Sequence, residues 1–201
     1  MGPTWMNSPA IQRAISALLV STSLWASPVL AAPEGPTVVS GQATVQTQDS
    51  TTLIRQLTDK AIIDWNRFGI GAGEVVRFLQ PSELAVILNR VTGQDPSLIF
   101  GQLQANGTVF LLNPNGIFFG PGSQVNAGAF MASTLSMTNE DFLSGNYRLT
   151  QDFSRNLAAV VNQGTLTAAP GGFIILSAPL VANEGAIVAE LGQVRLGATT
   201  E

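Results

Sequence analysis

The 201-residue sequence has no cysteine, no histidine and a single lysine, Lys60. Without cysteine there can be no disulfide, thiolate metal site or cysteine nucleophile. Without histidine, the Ser-His-Asp/Glu arrangement and histidine-ligated metals are excluded as well. No Gly-x-Ser-x-Gly elbow occurs. Charge is scarce: 11% of residues are charged and the formal net charge is −4. No basic patch is visible, so nucleic acid is not an expected partner. No cofactor, metal ion or catalytic residue is expected. Carboxylates are scattered between Asp49 and Glu190. Only a pair converging in space would suit glycoside cleavage.

Glycine and proline, in contrast, are plentiful, at 20 and 11 residues. Residues 1–31 read as a secretory signal peptide. Arg13 precedes the apolar segment Ala14 to Trp25, Pro28 breaks any helix, and Val29-Leu30-Ala31 fits cleavage after Ala31. A membrane anchor is the competing reading, but Ser21-Thr22-Ser23 and Pro28 interrupt a run already short for a bilayer. Residues 32–201 then form one domain.

Within that domain the pattern is of short strands between turn signals. Ala43 to Thr47 alternates apolar and polar as a half-exposed strand should, and Gln48-Asp49-Ser50 is a turn before Thr51 to Gln56. Gly69-Ile70-Gly71-Ala72-Gly73 lacks the full glycine set and the Lys-Ser/Thr ending of a phosphate loop, so it reads as a glycine-rich corner. Leu84 to Leu88 is apolar, and Asn89 to Gly93 is expected to turn it. Ala129 to Leu135 fits helix or strand, and Asn139 to Leu143 a short helix capped by Asn139.

Two features organise the rest. Val109 to Leu112 is a continuous apolar run suited to a strand buried on both faces. It stops at Asn113-Pro114-Asn115-Gly116, after which Ile117-Phe118-Phe119 resumes the run. Pro114 fixes its own φ and pushes Asn113 towards extension, and Asn115-Gly116 can supply a tight reversal. The second feature is a repeat. Asn162-Gln163-Gly164-Thr165-Leu166 recurs as Asn183-Glu184-Gly185-Ala186-Ile187, 21 residues on. Gly171 to Leu176 recurs as Gly192 to Leu196, and the same offset predicts Phe173 stacked on Val194 and Ile175 on Leu196. A glycine-punctuated period of this size is what one coil of a β-solenoid requires, with Asn162 laddering onto Asn183.

The order of motifs resembles the filamentous haemagglutinin N-terminal domain family, the secretion domain of two-partner-secretion exoproteins. The resemblance rests on Asn113-Pro114-Asn115-Gly116-Ile117, flanked by Leu88 to Gly93, Leu103 to Gly107, Gly120 to Gly128 and Ala132 to Leu135. It implies an all-β fold: a single-stranded right-handed parallel β-helix with extra-helical strands or hairpins. It also implies a partner, an outer-membrane β-barrel transporter with periplasmic repeats, and a secreted or cell-surface location reached through the periplasm of a Gram-negative-type bacterium. A host-cell or surface receptor would be engaged by a long repetitive passenger that family members carry after this domain. Against that pattern the chain reads as a fragment, a truncated product or a domain acting alone. The residues carried over are Asn113, Pro114, Asn115, Gly116 and Ile117, with Asn89 and Asn106 in neighbouring matched segments. They have two open roles, contacting the transporter or shaping a coil corner. The Asn-Pro-Asn-Leu motif of some members does not occur. A missing cysteine suits a chain that must thread a pore. The alternative reading is a pectin-lyase-like carbohydrate-active enzyme, since such enzymes also use parallel β-helices. Trp65 and Phe68 would then stack on sugar rather than fill a core.

Overall fold

Glycine corners and β-branched runs too short for helices leave the chain one way to bury its apolar side chains. It coils, so that each strand pairs with the strand one turn later. The computed structural model describes residues 32–154 and 157–198; the expected signal peptide lies outside them. β1 (Thr37–Ser40) and β2 (Ala43–Gln48) come first. The first coil is β3 (Thr51–Gln56) and β4 (Lys60–Trp65), closed by an isolated bridge from Ile70 to Ile99. The second is β5 (Val75–Leu79), β6 (Val86–Val91) and β7 (Ser97–Ile99). The third is β8 (Gln102–Ala105), β9 (Thr108–Leu112) and β10 (Ile117–Phe119). The fourth is β11 (Gln124–Ala127), β12 (Ala129–Ser133) and β13 (Ala159–Asn162), with helix α1 (Asn139–Ser144) inserted between β12 and β13. β14 (Thr165–Ala168), β15 (Phe173–Ala178) and β16 (Leu180–Asn183) make the fifth, and β17 (Ala186–Ala189) and β18 (Gln193–Ala198) follow.

Three sheets result. Two have seven strands, ordered β1-β4-β6-β9-β12-β15-β18 and β17-β14-β11-β8-β5-β3-β2, and the third has four, β16-β13-β10-β7. Every pairing between coils is parallel. Among the named strands only β1 on β4 and β2 on β3 pair antiparallel. These two strands cover the sheet edges that the first coil would otherwise expose, which removes a template for mispairing.

Alternation along each strand sends one set of side chains inside. Ile54, Trp65, Phe78, Ile87, Leu103, Val109, Leu111, Phe119, Val125, Phe130, Leu166 and Ile174 belong to one continuous buried column. A second cluster lies outside the β9 sheet. There Ile62, Leu88, Phe110, Leu112 and Met131 are roofed by Met137 and Phe142 of the excursion between β12 and β13. This is why β9 reads as an unbroken apolar run: Val109 and Leu111 face in, Phe110 and Leu112 face the roof. Lys60 pins the roof. Its Nζ donates to the carbonyls of Phe142 (3.2 Å) and Leu143 (2.7 Å) at the end of α1. It also lies 5.6 Å from the centroid of the Tyr147 ring.

Several expectations shift. The 21-residue offset holds for Leu166 on Ile187 and for Asn162 on Asn183. It fails one sheet later, where Ile174 pairs with Val194 and Leu176 with Leu196, while Phe173 meets Gln193. The turn over residues 169–172 is one residue longer than that over residues 190–192, so the offset falls to 20. A one-residue slip exchanges the faces: Ile174 and Leu176 are buried inside, and Phe173 and Ile175 face the roof side. Asn89 sits within β6 rather than in a turn. Ala129–Ser133 is strand. The α1 cap is Thr138, one residue earlier than expected, its hydroxyl accepting from the Asp141 amide. Hydrogen bonds from Asn146 and Thr138 hold the Asp141 carboxyl below the usual carboxylate range.

Candidate functional site

The Asn113-Pro114-Asn115-Gly116 stretch is the corner where the third coil passes from β9 in one sheet to β10 in another. It is not a hairpin, because β9 and β10 each pair in parallel with neighbouring coils. Asn113 has no exposed surface. Its Nδ2 donates to the Asp95 carbonyl (3.0 Å) and to Ser97 Oγ (2.9 Å), both in the preceding coil. Its Oδ1 accepts from the Asn115 backbone amide (2.9 Å) and from Asn115 Nδ2 (3.0 Å). Its backbone N–H donates to the Ser133 carbonyl of the following coil, and its carbonyl accepts from the Gly116 amide. Asn113 thus ties three coils together, with both side-chain amide hydrogens and the carbonyl oxygen committed.

Asn115 is half-buried, and its Nδ2 also donates to the Gly93 carbonyl (2.9 Å). Gly116 has φ +114°, in the region that favours glycine, and its carbonyl accepts from the Ser97 amide. A Cβ there would meet only ordinary contacts, so the requirement for glycine is conformational. Ile117 enters the interior column. Pro114 stands half-exposed between two shallow grooves. One is lined by Thr92, Gly93, Gln94 and Leu157, the other by Arg90, Leu135 and Asp152.

The weaker candidates lie elsewhere. Asn89 is wholly buried in β6, accepting from Trp65 Nε1 (3.0 Å) and donating to the Phe110 carbonyl (3.3 Å). Trp65 and Phe68 are themselves buried, ring to ring at 5.4 Å, and fill the core. Asn106 is exposed at the opposite end of β9, where Oδ1 accepts from the Gln80 amide and Nδ2 donates to the Gln80 carbonyl. Gln80 was not a candidate from sequence, yet it organises that corner. Its Nε2 reaches Gln56 Oε1, the Ala85 carbonyl and the Thr108 carbonyl, and its Oε1 accepts from Gly107. Its signal was faint, a glutamine directly after β5 and just before Pro81. Asn162 and Asn183 ladder directly at a third corner, Nδ2 to Oδ1 at 2.7 Å.

Chemistry is sparse among the described residues. No group of three or more His, Cys, Asp or Glu side chains could hold a metal ion. Asp64 is held by Arg90 and Glu34 by Arg67. Glu74 accepts from the Gly71 amide and Glu184 from Gln163. No described helix is long and apolar enough to cross a membrane.

Comparison with known proteins agrees with this geometry. Residues 30–200 match a family model described as the TPS secretion domain. A heme/hemopexin-binding protein of Haemophilus influenzae strain Rd is 35% identical over 161 residues, covering 77% of this chain and 18% of the relative. A second heme/hemopexin-binding protein of H. influenzae is 40% identical over 121 residues, covering 59% and 13%. The chain therefore spans less than a fifth of either relative. The crystal structure of the HMW1 secretion domain from H. influenzae superposes with a TM-score of 0.77 at 38% identity, over 83% of this chain and 45% of that one.

Proposed function

Since this chain belongs to the TPS secretion domain family and is the secretion domain of a two-partner-secretion exoprotein, we propose that its transporter reads the Asn113–Ile117 motif before the coil forms. Residues 1–31 direct the chain across the inner membrane and are removed. In the periplasm the chain stays extended, and periplasmic repeats of an outer-membrane β-barrel capture it, a strand adding to a sheet edge. It then crosses the pore and folds outside, where coil-on-coil burial opposes its return.

The observation that supports this order is the burial of Asn113. Every polar valence of its side-chain amide is used within the coil. A partner can touch that side chain only while the chain is unfolded, so one motif serves recognition first and the coil corner afterwards. Pro114 and Asn115 keep some surface in the folded state. Secretion, not catalysis, is the activity we assign to this domain. We infer that whatever ligand an exoprotein of this kind binds on a host cell is engaged by segments beyond this domain, on coils stacked against β16, β17 and β18. Val194 and Leu196 there are nearly half exposed.

The test co-expresses the chain with its transporter and measures release into the medium. Asn115→Ala should cut release, with protein held in the periplasm. Ser97→Ala serves as the control, because it weakens the same corner without altering the motif. Release unchanged by Asn115→Ala removes the recognition role. Equal loss from both variants assigns the motif to the fold alone.

A further inference from the structure

The sequence holds two Asn-Gly pairs, Asn106-Gly107 and Asn115-Gly116. They bracket β9, the middle strand of its seven-stranded sheet. Asn-Gly is the dipeptide most open to spontaneous deamidation, since glycine has no side chain to hinder ring closure. The glycine amide nitrogen, losing its proton to base, attacks Cγ of the preceding asparagine. A C–N bond forms and closes a succinimide, the Cγ–Nδ2 bond breaks, and Nδ2 leaves as ammonia with a proton from solvent. Water then opens the ring to aspartate or isoaspartate.

At both pairs the coil holds the reacting groups apart from this course. The Gly116 amide donates to the Asn113 carbonyl at 3.1 Å, and the Gly107 amide donates to Gln80 Oε1 at 2.9 Å. Each leaving nitrogen is also engaged: Asn115 Nδ2 by the Gly93 carbonyl and Asn113 Oδ1, Asn106 Nδ2 by the Gln80 carbonyl. The Gln80 amide fixes Asn106 Oδ1 as well. Gly107 and Gly116 are both buried. The restraints from Gly93 and Gln80 come from the second coil, so they close only when the third coil docks on it.

We propose that Asn106 and Asn115 are deamidation sites gated by folding, closed in the coil and open in the extended chain. Deamidation would put a carboxylate at a corner built for an amide. At residue 115 it would face the Gly93 carbonyl and Asn113 Oδ1 with no hydrogen to donate, and at residue 106 the Gln80 carbonyl. An isoaspartate would also lengthen the backbone there by one methylene. The third coil would then fail to close on the second. A chain kept waiting unfolded therefore loses its ability to fold, through an irreversible chemical change at its centre. That consequence in the periplasm rests on the secretion reading; the chemistry does not.

The test needs no transporter, so its failure is separate from failure of the secretion reading. The full chain is incubated at mildly alkaline pH, folded in buffer and unfolded in urea, and isoaspartate is followed site by site by peptide mass spectrometry. Asn126-Ala127 is the internal control. In urea, residues 106 and 115 should convert faster than residue 126. In the folded chain both should slow by at least about tenfold, because reaction must wait for local opening. Amide exchange at Gly107 and Gly116 should slow with them. Equal rates in the two states, or no advantage over Asn126 in urea, would overturn the gating. Asn115→Asp should lower the refolded yield on dilution from urea, and a wild-type yield would overturn the predicted damage.

Discussion

Asn113→Ala tests how far the corner carries the fold. The substitution removes four side-chain hydrogen bonds: two from Nδ2 to Asp95 and Ser97, and two to Oδ1 from Asn115. Each is worth about 1 kcal/mol net, and more where a buried partner is stranded. Ser97 is wholly buried, and its hydroxyl oxygen is left without this donor. The small cavity left by the lost amide adds a little. The expected loss is about 4 kcal/mol, a large share of the roughly 5–15 kcal/mol that stabilises a typical domain. With a urea slope of about 2 kcal/mol/M, the unfolding midpoint should fall by about 2 M. Tryptophan fluorescence reads it, since Trp65 is buried one coil away from the preceding coil's corner. Solenoids need not unfold in one step, so far-UV circular dichroism should be followed on the same samples. A midpoint shift below about 0.5 M would refute the reasoning, because it would mean the four bonds are replaced by water at no cost. Pairing the variant with Ser97→Ala in a double-mutant cycle should return a coupling of about 1 kcal/mol, as expected for residues in direct contact.

Two further outcomes follow from the roof over the second cluster. Burial pushes the Tyr147 phenol above its ordinary value, and it is the chain's single tyrosine. Ultraviolet titration should therefore give one transition with a midpoint above about 10. A raised folded value means the stabilisation is complete below the unfolded value and is lost as pH rises through the folded one, so the roof should loosen only in strong alkali. Lys60→Met should remove the pin on the Phe142 and Leu143 carbonyls. Hydrogen exchange should then quicken across α1, by about 1 kcal/mol of local opening, and leave the interior strands unchanged.

Local chemistry made much of this molecule legible. Turn residues punctuate strands too short for helices, β9 shows as an apolar run, and Asn162 and Asn183 announce a ladder that the structure contains. The register at β15 and β18 was not legible. A repeat fixes the offset between two matching segments, but turn length resets it, and one residue fewer in the turn before β18 exchanged inside for outside. Asn89 misled because asparagine favours turns in isolation, whereas here Trp65 and the Phe110 carbonyl satisfy its amide inside the coil. Gln80 was missed because its place between a strand end and Pro81 is only a faint signal, and a long polar side chain does not itself show that it will be a corner post.

By itself the sequence determined that this protein is a stack of short strands closed at glycine and asparagine corners, with no residues for histidine or cysteine chemistry. Those are properties of individual residues and of their spacing, which act over a few positions. Only the tertiary structure decided which face each strand turns inward, which coil supplies the partner for each corner amide, and how the excursion after β12 roofs Phe110. Each of these depends on contacts between residues 16 to 83 positions apart, and the free energy of such contacts is set by the neighbour that arrives, not by the residue that waits for it.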